Sequence, residues 1–190
     1  MIAVTLPHLT VTSEAFYDAV VPQTIPLFKR QRLQGASEAV AQCIAEYRKL
    51  ASEHRLSEFS IKTTDFGSAQ PEDFKSLYGS FLQSTTGVGR QHYDSLMVAH
   101  AQRVCPYCGT RKAKTIDHYL PHCDYPQLSI TFENLVASCF ECNTVKRTSA
   151  EMKCDEMLFH PYYETFPKNQ WLVAEAVQDP PITVSFDLYD

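Results

Sequence analysis

Two pairs of cysteines, Cys105/Cys108 and Cys139/Cys142, each with two residues between them, carry the plainest chemical signal in this 190-residue chain. A C-x-x-C turn aims two sulfurs at one point, and Gly109 after the first pair is free to take a left-handed backbone. Four thiolates complete a tetrahedral Zn²⁺ site with no open position, so the zinc is expected to be structural. It would pin together the ends of the 30-residue segment between Cys108 and Cys139, replacing core that so short a segment lacks. The competing reading is four buried or free thiols. A redox C-x-x-C fits less well, because each pair explains the other. Cys43 falls on an apolar helix face and reads as core, while Cys123 and Cys154 have no partner pattern.

Inside and beside these pairs stand three further groups: Asp117-His118-Tyr-Leu-Pro121, Glu133-Asn134-Leu135, and Cys142-Asn143-Thr-Val-Lys146-Arg147. If 116–120 is a strand end, Asp117 and His118 splay to different sides. Asp117 and Asn143 offer hard oxygen donors suited to Mg²⁺ or Mn²⁺. An imidazole titrating near neutrality suits His118 to take a proton from water. Lys146 and Arg147, one turn beyond Asn143, are expected to reach phosphates. Arg111, Lys112 and Lys114 form a basic cluster that reads either as a solvated loop or as a phosphate track. Taken singly, Asp117-His118 is a common surface pair, Asn134 a common turn residue and Asn143 a common helix cap. The roles of His122 and His160 stay open.

The ordered set of all three groups within paired cysteines resembles the HNH nuclease family, over about 105–147 with FHPYYE at 159–164. That resemblance implies a ββα-metal core, in which His118 is the general base and Asp117 and Asn143 hold one cation. Asn134 would brace the loop that orients His118. It also implies hydrolysis of DNA phosphodiester bonds to 5′-phosphate and 3′-hydroxyl ends. Asn143 departs from the His that many members carry, which implies weaker metal retention. In architecture the chain is similar to the nuclease subunits of Septu-type anti-phage systems, which work beside an ATPase, and the N-terminal helices would then dock such a partner. The alternative is a zinc-stapled nucleic-acid- or protein-binding module without turnover.

The elements that must position these residues read as α+β: a helical module over 1–100, then the zinc-stapled domain and a terminal strand over 101–190. Residues 2–6 suggest a strand, and Ser13 a cap for a helix through Val20 that Pro22 and Pro26 stop or kink. Val40, Cys43, Ile44, Tyr47, Leu50 and Ala51 recur at helical spacing near 37–55. Residues 57–70 read as a loop. Pro71 opens a helix with Phe74, Leu77, Tyr78, Phe81 and Leu82 as its stripe, and TTGVG at 85–89 breaks it. A third helix runs through Tyr93, Leu96 and Met97. Beyond Cys105, TIDHYL, SITF and NLVASC read as strands, 141–150 as a helix, and Ile182, Val184, Phe186 and Leu188 as an alternating strand. Whether the natural chain continues past Asp190 is left open.

Composition narrows the classes. The chain is 44% hydrophobic and 21% charged, which excludes disorder and low complexity. No apolar run spans a bilayer, and the N-terminus lacks a basic leader, so a reducing cytoplasmic setting is expected. Net charge is -5, with a strongly acidic stretch over 148–190. Grip on nucleic acid by charge alone is therefore not expected.

Overall fold

The structure, a computed structural model, describes residues 9–60, 66–98, 103–148, 158–164, 172–177 and 183–188. The expected strand at 2–6, Cys154 and the side chain of Arg147 lie outside what it describes. Helix α1 (Ser13–Val20) begins on Thr12, whose hydroxyl accepts from Ala15 N at 3.2 Å. Thr12, not Ser13, is therefore the cap; Ser13 is buried and donates to Glu133 instead, at 2.5 Å. Pro26 does not end helical structure: it sits just before α2 (Leu27–Gly35), where its missing N–H costs nothing. Helix α3 (Ser37–Ser52) buries the apolar face read from its spacing, Val40, Cys43, Ile44, Tyr47, Leu50 and Ala51.

Helix α4 (Pro71–Leu77) opens on a capping box made by Gln70 and Asp73. It runs on into a wider π-type turn over Tyr78–Gln83, a geometry common where a side chain must be re-aimed. The glycines after it allow α5 (Arg90–Val98) to return closely; a Cβ on Gly89 would overlap the Phe16 ring and the Phe81 carbonyl. Strand β1 (Thr115–His118) pairs antiparallel with β2 (Leu135–Ser138), with Asp117 opposite Val136 and His118 opposite Leu135. Helix α6 (Phe140–Thr148) follows directly, completing a β-β-α unit. SITF is not a strand: 126–134 folds into short 3₁₀ turns at Pro126–Leu128 and Phe132–Asn134. Near the end, β3 (Leu172–Val177) pairs antiparallel with β4 (Thr183–Leu188); the alternation had indicated only β4.

The boundary near residue 100 divides the chain but not the core. Phe16 of α1 stacks on Phe132 with ring centroids 5.2 Å apart, and His92 of α5 lies 5.4 Å from the same ring. Buried side chains of all five N-terminal helices join Ile116, Leu128, Phe132 and Leu135 in one cluster. Arg48 adds a polar tie, donating to Glu133 at 2.5 Å and, through both terminal nitrogens, to Glu14. Among the described residues, no helix is long and apolar enough to cross a membrane.

Candidate active site and zinc centre

The four knuckle cysteines converge. Cys105, Cys108, Cys139 and Cys142 place their sulfurs within 4.8 Å of one another, and zinc–sulfur bonds of about 2.3 Å call for sulfurs roughly 3.8 Å apart. Gly109 takes φ +66°, the left-handed turn expected of it. Burial pushes the Cys142 thiol far above its usual range, and the neighbouring cysteines add to that. Burial likewise raises Cys139. At Cys108 burial is outweighed by hydrogen bonds from Thr110 and the backbone of Arg111, which bring the thiol down to about 6. Four thiolates this close repel one another unless a metal neutralises them, so the donor set fits zinc.

From the first knuckle the chain enters β1, which carries Asp117 and His118. Both are nearly buried. The His118 ring has Nε2 3.0 Å from the Ser129 carbonyl oxygen. A carbonyl only accepts, so Nε2 carries the proton and Nδ1 is the basic nitrogen. The imidazole is further flanked by Tyr78 of the N-terminal helices, edge-on at 4.8 Å, and by His122 at 4.9 Å.

Asn134 is fully buried and grips the loop after β1. Its Oδ1 accepts from Leu120 N at 2.7 Å, its Nδ2 donates to Leu120 O at 3.1 Å, and its own carbonyl accepts from Tyr119 N at 2.8 Å. These bonds fix the chain immediately beyond His118. Asn143, one turn into α6, donates from Nδ2 to Thr115 Oγ1 at 3.1 Å, which turns its amide oxygen away from that hydroxyl. Asp117, His118, His122 and Asn143 line one cavity of about 310 Å³. His118, His122 and Asn143 also line a larger cleft of about 420 Å³, together with Lys75, Tyr78, Tyr93, Lys114 and Phe140.

Lys146 corrects an expectation. It does not face outward toward phosphates: its side chain is 2% exposed, and Nζ donates to Asp117 Oδ2 at 2.8 Å and to the carbonyls of His118 and Tyr119 at 2.7 and 2.6 Å. Three acceptors on one ammonium make it an internal brace between α6 and β1. Burial lowers its pKa, against the pull of Asp117. Lys114 does lie exposed on the rim of the larger cleft. Lys112 lies with Arg111, Lys114 and Phe140 around a third cavity of about 340 Å³, and Arg111 pairs with Glu141 at 3.5 Å.

Several contributors were not legible in the sequence. Tyr107, between the first two cysteines, donates its hydroxyl to Asp117 Oδ2 at 2.8 Å, so the cysteine knuckle reaches Asp117 directly. Nothing in Cys-Pro-Tyr-Cys signals this. The Ser129 carbonyl is invisible to any reading of side chains. Tyr78, read as part of an apolar helix stripe, packs against the core and also lines the cleft. His160, left open, packs behind the site: it is 1% exposed, its Nε2 lies 2.9 Å from Tyr47 Oη, and its Nδ1 accepts from Tyr162 N at 3.3 Å. Burial, with the Lys146 charge nearby, lowers its pKa to about 3, so the ring is neutral.

Asp117, His118, Asn134 and Asn143 thus surround a β-β-α unit stapled by four cysteines, and residues 105–149 match the HNH endonuclease family model. Residues 105–149 are therefore similar to an HNH endonuclease domain. Over 152 residues it is 31% identical to protein ea31 of Escherichia phage lambda, which covers 74% of this chain and 51% of that protein. Over 99 residues it is 32% identical to Septu protein PtuB of Bacillus thuringiensis, covering 49% of this chain and 37% of that one. The match therefore spans about half the length of the first relative and little more than a third of the second. No solved structure matches the chain.

Proposed function

We propose that the protein is a metal-dependent endonuclease that hydrolyses DNA phosphodiester bonds in the cleft around His118. The carrying observation is the hydrogen bond from His118 Nε2 to the Ser129 carbonyl. It holds the ring in the tautomer whose Nδ1 accepts a proton, beside oxygen donors from Asp117 and Asn143 in the same cavity. Those two donors suit Mg²⁺ or Mn²⁺, which when bound neutralises the scissile phosphate and the departing 3′ oxygen.

In this reading His118 Nδ1 takes a proton from a water molecule as its oxygen attacks phosphorus. The P–O3′ bond then breaks, the 3′ oxygen leaves with the bonding pair and is protonated by solvent, and the new oxygen stays on the 5′-phosphate. Ser129 and the flanking Tyr78 keep the ring from rotating. Lys146 and Tyr107 hold Asp117 through Oδ2, which directs the carboxylate. The four cysteines hold structural zinc, and Lys112 and Lys114 meet flanking phosphates.

One observation favours the second reading, a zinc-stapled binding module without turnover: Asp117 is already ion-paired with Lys146. Metal dependence separates the two. Under the nuclease reading Asn143→Ala shifts the Mg²⁺ needed for half-maximal cleavage upward by about ten-fold, the range expected for loss of one support of a metal site, with zinc content unchanged. A nuclease whose Mg²⁺ requirement does not move would remove Asn143 from the site.

Likeness to the Septu protein supports a role in anti-phage defence beside an ATPase subunit. The inner faces of the N-terminal helices are consumed by the shared core, so the partner would meet their outer side, where Ile25, Leu27 and Phe28 are exposed. Co-expression with a neighbouring ATPase should yield one co-eluting peak on size exclusion; two separate peaks contradict the partnership.

A further inference from the structure

We propose that Phe140 is a base-stacking residue, and that the cleft takes a DNA strand with unpaired bases next to the scissile phosphate. This rests on the nuclease reading of the same cleft. Phe140 is 66% exposed, on the first residue of a helix whose flanking Cys139 is buried. It packs no core. It borders both the 420 Å³ catalytic cleft and the 340 Å³ cavity with Arg111 and Lys112, and Lys114 borders both as well. The two spaces therefore share one aromatic and one cation, while Glu141 also lines the second and pairs there with Arg111.

The same cleft has further residues of both kinds. Tyr78 and Tyr93, both half-buried, line it with Lys75 of α4. Aromatic rings and cations sharing one cleft, with Arg90 lying 4.7 Å over the Tyr93 ring, suit a single strand, whose bases stack while its phosphates meet cations. A paired duplex shields its base faces and offers them nothing to stack on. Charge supports the same choice. The few cations at these cavities, Lys75, Lys112 and Lys114, release few counterions, so stacking adds to the affinity they supply. The zinc knuckle makes Phe140 a rigid platform, because Cys139 and Cys142 fix the backbone on either side of it.

The test uses the full-length, zinc-loaded chain carrying His118→Ala, so that substrate is bound uncut. DNA oligonucleotides with 2-aminopurine at successive positions are titrated as single strands, as gapped duplexes and as intact duplexes. Quenching at one or two positions of the single-stranded and gapped forms is expected. Adding Phe140→Ala should weaken their binding about ten-fold, the effect of losing one stacked base, while Phe140→Trp restores it at equal zinc content. Binding unchanged by Phe140→Ala, or tighter binding of intact duplex, overturns the proposal. Cleavage by the wild-type chain is scored separately. If it cuts DNA but Phe140→Ala binds normally, only the stacking role falls. If it binds and quenches but never cuts, the nuclease reading falls and the stacking role stands.

Discussion

Asn134 and His160 show how little of a residue's role its type declares. Asn134 makes two side-chain hydrogen bonds to Leu120 from a fully buried position. Asn134→Ala strands both backbone groups, and a loss of about 2–3 kcal/mol in urea unfolding is expected. His160 gives a pH signature. Its folded pKa, about 3, lies below the free value near 6.5, so its contribution to stability is full above pH 6.5 and falls as the pH drops through the window below. The loss approaches about 1.4 kcal/mol per pH unit. Melting temperatures between pH 7 and 5 should fall more steeply in the wild type than in His160→Gln; parallel slopes would refute the assignment. At Tyr107, replacement by Phe removes a hydrogen bond that helps hold Asp117 Oδ2, and a several-fold drop in cleavage rate at unchanged zinc content is the expected result.

At the scale of elements, the paired cysteines made the four-sulfur cluster legible in advance, since only their spacing and Gly109 were needed. Chelation should release one zinc per chain and unfold the β1–β2–α6 unit, which far-UV dichroism and a colorimetric zinc assay would follow together. Full retention of structure after zinc loss contradicts a structural metal. Helix α3 was equally legible from its six apolar positions. Helix α2 was not, because Pro26 was read as a stop when it stands just before a helix start. SITF misled for a different reason: its β-branched residues favour a strand locally, but the segment must turn to bring the Ser129 carbonyl to His118 and the Phe132 ring to Phe16. Tertiary packing overrode local preference. Lys146 was placed correctly on α6, but helical spacing alone does not say that its face turns toward β1.

For the whole molecule, the division into a helical module and a zinc-stapled domain describes the sequence better than the core. Phe132, at the centre of that core, rests on Phe16 and His92 from the N-terminal helices, and Glu133 beside it is paired by Arg48 and Ser13. Residues 103–190 expressed alone should therefore be insoluble or rapidly proteolysed. Arg48→Ala in the full chain leaves a nearly buried carboxylate without its cation, at a cost of about 2 kcal/mol once the partial exposure of Arg48 is considered. A protease-resistant, zinc-loaded 103–190 fragment would contradict the shared core. The same helices also wall the cleft around His118 through Lys75, Tyr78 and Tyr93, so under the proposed function they contribute shape as well as stability. The most direct test of the whole account is nicking of supercoiled plasmid in Mg²⁺ or Mn²⁺ by the wild type and by His118→Ala, matched for zinc. The account predicts nicks bearing 5′-phosphate ends from the wild type and a loss of at least about a hundred-fold in the variant; equal rates, or two inert proteins, would contradict it.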